Sequence, residues 1–223
     1  FLIPKEGAGQ IVVLGSTNVG KSSLISSITN AKPEVSLLPF TTRSPVPGMV
    51  QYRDIQFQLV EAPALVEGAA EGRMDGPRIL DLARNADGIV LLVDLTQNPI
   101  EQLNMLRSEL EKAGILIEDL GGHVEIQRRS VGLGFQVIGN GVFVDCTLED
   151  IKKTLLSYKI KSALIRIRGK VKFDDIEDSL FSTPVNKPAL ILANKSDAVD
   201  SPETIHELRR AVEGNITVLA ISC

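Results

Sequence analysis

Gly15-Ser16-Thr17-Asn18-Val19-Gly20-Lys21-Ser22 gathers two glycines, a lysine and several hydroxyls into eight residues, with Ser23 directly after them. Residue types and spacing of this kind hold phosphate. The glycines let the backbone curl so that several N–H groups converge on one phosphate chain, and a helix N-terminus behind them adds a positive field. Lys21 is placed to reach the β- and γ-oxygens, and the Ser22 hydroxyl offers a hard oxygen to Mg²⁺. The other candidate contacts of this loop are the backbone groups of Gly15, Ser16, Thr17, Asn18, Val19 and Gly20 together with Ser23.

Asn194-Lys195-Ser196-Asp197 is the second constellation. A carboxylate at Asp197 accepts two hydrogen bonds from guanine N1–H and the exocyclic amine, a donor pair that adenine lacks. A buried acid there would be left unsatisfied by the wrong base, which is the basis of discrimination. The Lys195 stem is expected over the base plane, and Asn194 is expected to tie the loop together and reach the base edge. Ser222 and Cys223 stand where a second guanine-side loop begins. An ATP-dependent enzyme such as a small kinase is the alternative that Asp197 argues against.

Both constellations need rigid supports. IVVLG at 11–15 is an apolar, β-branched run ending in glycine, so the phosphate loop follows a buried strand. KSSLISSITNA then reads as a helix with Leu24, Ile25 and Ile28 on one side. MVQYR and IQFQLV read as two strands joined near Asp54. Pro77 opens a helix through PRILDLARNA, GIVLLVDL is a second buried strand, and PIEQLNMLRSELEKAG is an amphipathic helix stopped by Gly114. PALILANK is a third buried strand that delivers Asn194 at its carboxyl end, where open α/β sheets bind ligands. Ser201-Pro202 marks another helix start, and ITVLAIS closes the series. Strands alternating with helices predict an α/β fold with a mostly parallel sheet and helices on both faces.

Residues 120–183 break that rhythm. GFQVIGNGVFVDC reads as a hairpin turning at Gly139-Asn140-Gly141. TLEDIKKTLLSYK is a helix capped by Thr147, SALIRIRG a strand and FDDIEDSLF a short helix. Ten Lys and Arg stand here against eight Asp and Glu (net +2), whereas the remainder carries fourteen against twenty (net −6). The expected organisation is a discontinuous domain, 1–119 plus 184–223, with a small α+β unit inserted at 120–183. Arg166, Arg168, Lys170 and Lys172 alternate along LIRIRGKVKF, so a strand puts all four on one face and Ile165, Ile167 and Val171 on the other. That row is a candidate contact for RNA or ribosome phosphates; the bland alternative is a wetted strand face. Arg128, Arg129, Lys159 and Lys161 enlarge it only if the fold brings them close.

The chain has 223 residues, 43% hydrophobic and 23% charged, with a net charge of −4 and no Trp. This argues against whole-surface attraction to nucleic acid or anionic lipid and against a base-stacking platform. Cys146 and Cys223, like His123 and His206, lack metal-ligand spacing. No apolar run reaches the roughly 18 residues of a membrane span, and a cytoplasmic, monomeric protein is expected. A start at Phe1 and a stop in AISC suggest a trimmed product.

GSTNVGKSSL, LLPFTTRSPVPGMVQY, EAPALVEGAAEGRMDGPRIL, ARNADGIVLLVD, YKIKSAL and NKSD together resemble the Obg-like P-loop GTPases, and within them the developmentally regulated GTP-binding proteins. The resemblance implies a Ras-like G domain, GTP and GDP as ligands, slow Mg²⁺-dependent hydrolysis and translation-associated work with a regulatory protein partner. It also implies an insert like a ribosomal-protein domain. By the same resemblance, Thr42, with Thr41 as alternate, ligates Mg²⁺ from the first switch, PFTTRSPVPG.

The second switch departs from the family. Its Asp-x-Pro-Gly pattern becomes Glu61-Ala62-Pro63-Ala64. Glu61 keeps the charge and joins Ser22 and Thr42 as a candidate metal ligand. Ala64 replaces a glycine whose N–H swings toward the γ-phosphate, a movement that alanine resists if φ > 0 is needed. Leu65 stands where Ras-like enzymes position water with Gln, but an apolar residue here agrees with the family and implies another route to hydrolysis. Asn18 is a candidate holder of K⁺, as in related cation-dependent GTPases. Lys21, Thr42, Ala64 and Asn18 are therefore the expected catalytic set, and the rival expectation is a module that holds nucleotide without efficient turnover. Glu67, Arg73 and Arg78 are loop charges beside the second switch.

Overall fold

In the computed structural model, described for residues 3–31, 44–117, 122–129, 134–181, 184–199, 203–212 and 216–223, the elements run β1 (Gln10–Leu14), α1 (Lys21–Ile28), β2 (Val46–Tyr52), β3 (Ile55–Glu61), α2 (Gly76–Asn85), β4 (Gly88–Asp94) and α3 (Pro99–Lys112). They continue with β5 (Ile115–Leu116), β6 (Gly122–Arg128), β7 (Gly134–Gly139), β8 (Val142–Phe143), α4 (Leu148–Ser157), β9 (Ser162–Val171) and α5 (Phe173–Phe181). β10 (Val185–Asn186), β11 (Ala189–Asn194), α6 (Glu203–Ala211) and β12 (Thr217–Ala220) complete the chain. Two compact units result, one from 1–118 with 185–223 and one from 119–184.

The first unit is built on a six-stranded sheet in the order β12-β11-β4-β1-β3-β2. All neighbours are parallel except β2, which pairs antiparallel with β3 from Val46 opposite Glu61 to Tyr52 opposite Ile55. Both faces are covered, which explains the near-continuous apolar runs. Val13, Leu59, Leu92 and Leu192 pack with Leu24 and Ile25 of α1 on one face. Val12, Leu14, Val60, Leu91, Val93 and Ile191 pack with residues of α2, α3 and α6 on the other. Ile28, expected beside Leu24 and Ile25, is 47% exposed. It is the last residue of α1, and Thr29 already has extended backbone.

The second unit places β9 between β6, antiparallel, and β7, parallel, with α4 and α5 supplying Ile151, Leu155 and Ile176 to its core. α4 begins with a capping box in which Thr147 and Asp150 exchange side-chain and backbone bonds. The hairpin expected about Gly139-Asn140-Gly141 does not form. β7 and β8 both run parallel along β9 and pair with it one after the other. The glycines serve close approach: Gly139 has φ +116°, and a Cβ there would lie 2.0 Å from the Ile167 carbonyl oxygen. On Gly141 a Cβ would lie 2.8 Å from Arg168 N. An Asn-Gly turn signal was overridden by a third strand offering backbone partners.

Candidate functional site

The carboxyl ends of β1, β3, β4 and β11 deliver Gly15, Glu61, Asp94 and Asn194 to one edge of the sheet, around the point where strand order reverses between β4 and β1. After β1 the chain turns through Asn18 at φ 60° and Gly20 at φ 99°, and α1 starts at Lys21. Gly15 and Gly20 are required here by space. A Cβ on Gly15 would stand 2.6 Å from the Leu92 carbonyl oxygen. On Gly20 it would stand 2.2 Å from Asn194 Nδ2.

Lys21 is buried, and its Nζ donates to the carbonyls of Gly15 at 3.1 Å and Ser16 at 2.7 Å. Burial lowers its pKa to about 8, against the opposing pull of the Glu61 charge. Ser22 Oγ donates to Glu61 Oε1 at 2.6 Å, and Glu61 is 1% exposed. Two expected metal-ligand oxygens are thus adjacent. The longer side chain of Glu61 reaches the serine directly. Thr41 and Thr42 lie outside the described residues.

Asn194, fully buried, joins three segments. Its Nδ2 donates to the Val19 carbonyl at 2.9 Å, and its Oδ1 accepts the Cys223 N–H at 3.1 Å. Asp197 is exposed, contrary to the buried carboxylate expected, because it sits in a short 3₁₀ turn beyond the strand end. Its Oδ1 accepts from Ser222 Oγ at 2.6 Å, and that bond draws its pKa below the usual value. Lys195 takes a left-handed backbone at φ 62°, and its Nζ lies 2.5 Å from Asp94 Oδ2.

Two further acids were not picked out from the sequence. Asp94 is 2% exposed and also accepts Thr96 N–H and Oγ–H through Oδ1. Burial raises its pKa, but the Lys195 and Thr96 bonds outweigh it, so the group stays below the ordinary carboxylate range. The one available signal was an acid closing the apolar run GIVLLVD at its carboxyl end. Glu109, on α3, accepts from the loop after β3 and carried no signal at all.

That loop is partly fixed. Ala62 N–H donates to Val13 O, Leu65 N–H donates to Gly15 O, and Leu65 is fully buried. Ala64 is absent from the left-handed residues, so alanine is unstrained in this arrangement. Glu67 and Arg73 line a cavity of about 410 Å³ with Gly68, Glu71 and Lys112, separate from the phosphate loop. Arg78 makes an exposed 3.7 Å pair with Asp75. In the second unit, Arg166, Arg168, Lys170 and Lys172 are exposed beside buried Ile165, Ile167 and Val171, and Arg166 pairs with Glu125 at 3.2 Å.

A family profile described as "50S ribosome-binding GTPase" matches residues 10–133, and one for the C-terminal region of the same domain matches 134–223. The chain belongs to this GTPase family. Developmentally-regulated GTP-binding protein 2 of Mus musculus is 30% identical over 94% of this chain and 57% of its own length. An uncharacterised GTP-binding protein of Methanocaldococcus jannaschii is 32% identical over 90% and 50% respectively. The chain therefore spans just over half the length of the curated relatives it matches. Among solved structures, NFeoB from S. thermophilus bound to GDP·AlF₄⁻ and K⁺ matches with a TM-score of 0.50 at 16% identity, over 96% of this chain and 55% of that one. This likeness carries the P-loop GTPase fold. No helix among the described residues is long and apolar enough to cross a membrane.

Proposed function

We propose that this chain is a guanine-nucleotide-binding module of a DRG-like GTPase that hydrolyses GTP to GDP slowly, with Mg²⁺. The observation that carries the reading is the pair of bonds made by Asn194, which joins the phosphate loop at Val19 to the base-side segment at Cys223. A buried amide in that position fixes the two loops against each other, as a ligand held between them requires.

The residues present fit nucleotide and metal. Gly15 and Gly20 leave no room for side chains, which suits a loop whose backbone approaches phosphate closely at the N-terminus of α1. Lys21 would exchange its two carbonyl partners for phosphate oxygens. Ser22 and Glu61, with Thr42, form the candidate Mg²⁺ set, and the ion would neutralise charge developing on the phosphates. Asp197 would accept from guanine while Ser222 steadies it. Leu65, buried, supplies no group to orient water, so hydrolysis falls to positioning and charge.

Asn18 is exposed in the loop and is assigned a K⁺-holding role, supported by the potassium ion in the NFeoB neighbour. Single-turnover GTP hydrolysis in Mg²⁺ tests both proposals. Slow turnover that is faster in K⁺ than in Na⁺ is expected; equal rates remove Asn18 from the account. No turnover at all, with GDP still bound, gives the second reading, a nucleotide holder disabled by Glu61 and Ala64.

The basic row of β9 is assigned to RNA or ribosome phosphates, in a cytoplasmic, monomeric protein working in translation with a regulatory partner. Its check is ribosome co-sedimentation that weakens steeply with salt. Binding indifferent to salt contradicts it.

A further inference from the structure

Glu109 belongs to α3 by sequence and to the loop after β3 by its bonds. Its carboxylate is 1% exposed. Oε1 accepts the Gly68 N–H at 3.1 Å and Oε2 accepts the Ala70 N–H at 2.7 Å. Lys112 Nζ lies 3.2 Å from Oε1 and also reaches Glu71 at 3.4 Å.

The loop is closed on itself around this acid. Glu71 N–H and Arg73 N–H both donate to Gly68 O, and Gly72 N–H donates to Ala69 O. Ala69 is fully buried, and a Cβ on Gly76 would fall 2.1 Å from its carbonyl oxygen. Toward β3, Leu65 is buried and bonded to Gly15 O. Between the two anchorages only Val66 and Glu67 intervene.

A nucleotide moves a loop only as far as its differential contacts outweigh the bonds that hold it. Effector couplings are typically about 5- to 150-fold. One hydrogen bond to a charged group is worth roughly 10- to 150-fold in an equilibrium, and Glu109 accepts two from the loop backbone. Burial pushes the Glu109 pKa up, but the Ala70 and Gly68 amides and Lys112 more than offset it, so the acceptor stays ionised at neutral pH.

We propose that Glu109 is a positioning residue for the second switch, holding Gly68–Gly72 on α3 in both nucleotide states and confining γ-phosphate-driven rearrangement to the residues that precede Gly68. This rests on the guanine-nucleotide reading of the site.

The test is amide hydrogen exchange of the full 223-residue chain, read by peptide, with GDP and with a non-hydrolysable GTP analogue, in the unaltered protein and in Glu109→Gln. The amide side chain keeps the shape but turns one acceptor into a donor facing an N–H. In the unaltered protein, exchange over 68–72 is expected to agree within about 2-fold between the two nucleotides. In Glu109→Gln it rises by about 10-fold or more and becomes nucleotide-dependent, while peptides of β4 and β11 stay unchanged. A nucleotide-dependent change of that size in the unaltered protein overturns the proposal, and so does an unmoved Glu109→Gln. If the variant does not fold, the comparison of nucleotides in the unaltered protein still decides. Peptide 15–23 separates the two levels of failure. Without protection there by either nucleotide, the guanine-nucleotide reading falls and takes this proposal with it.

Discussion

The base-side and phosphate-side ends of the site are in opposite conditions. On the base side, polar groups are tied to protein partners that can stay in place when a ligand arrives: Asn194 to Val19 and Cys223, Lys195 to Asp94, and Ser222 to Asp197. On the phosphate side, the groups that should meet the ligand are bonded to one another: Lys21 to the carbonyls of Gly15 and Ser16, and Ser22 to Glu61. On the guanine-nucleotide reading, base recognition is preorganised, so little ordering opposes it. Phosphate recognition is an exchange of one set of bonds for another, and only the surplus appears as affinity. Specificity therefore belongs to the first end, and state-dependence to the second.

The largest effect should come from the base side. Asp197→Asn replaces an acceptor with an amide that offers N–H to the guanine donors, and GDP affinity should fall roughly 100-fold or more, the worth of two charge-assisted hydrogen bonds. Competition titration checks it, and xanthosine diphosphate, which has a carbonyl where guanine has its amine, should recover part of the loss. Unchanged GDP affinity would break the comparison at its stronger end.

Next, Asn194→Ala strands the Val19 carbonyl and the Cys223 N–H without their partner. Stability should drop by about 2–3 kcal/mol, as expected when buried groups lose a hydrogen bond, seen as a lower urea midpoint. A loss under about 0.5 kcal/mol would mean that the two loops do not depend on this amide.

A smaller effect is expected on the phosphate side. Ala64→Gly leaves the structure described here unstrained but opens φ > 0, so it should raise the preference for GTP analogue over GDP by about 10-fold, within the range of ordinary coupling energies. Equal preferences in variant and parent would show that Ala64 is simply tolerated.

The smallest is a pH effect. Asp94 has a folded pKa below its unfolded value. As pH falls, the unfolded chain therefore takes up the proton first, and the group's contribution is present above about pH 4 and lost below it. Asp94→Asn should flatten the acid limb of urea midpoints between about pH 5 and 2.5 while leaving the curve's slope near pH 7 unchanged. A parallel shift of the whole curve would assign Asp94 a packing role instead.

Much of this was legible in the residues because the relevant signals are local. A phosphate loop is eight consecutive residues, and buried parallel strands announce themselves as unbroken apolar runs such as GIVLLVD. The 3₁₀ turn that exposes Asp197 could not be read from Asn-Lys-Ser-Asp alone. Pairings between distant segments were also hidden. Lys195 meets Asp94 from 101 residues away, and Glu109 meets Ala70 from 39. On α3, Glu109 looks like any solvated acid of an amphipathic helix. The segment about Gly139-Asn140-Gly141 failed for a related reason: its turn chemistry is local and real, but β9 supplied a longer-range partner that local chemistry cannot foresee.

One titration tests guanine recognition most directly: GDP against ADP, each with Mg²⁺, on the unaltered chain. The guanine reading predicts that GDP binds at least about 100-fold more tightly, because Asp197 finds its donor pair only on guanine. Equal affinities would contradict it, since a preorganised base-side end that does not distinguish guanine from adenine would have no function left to explain its construction.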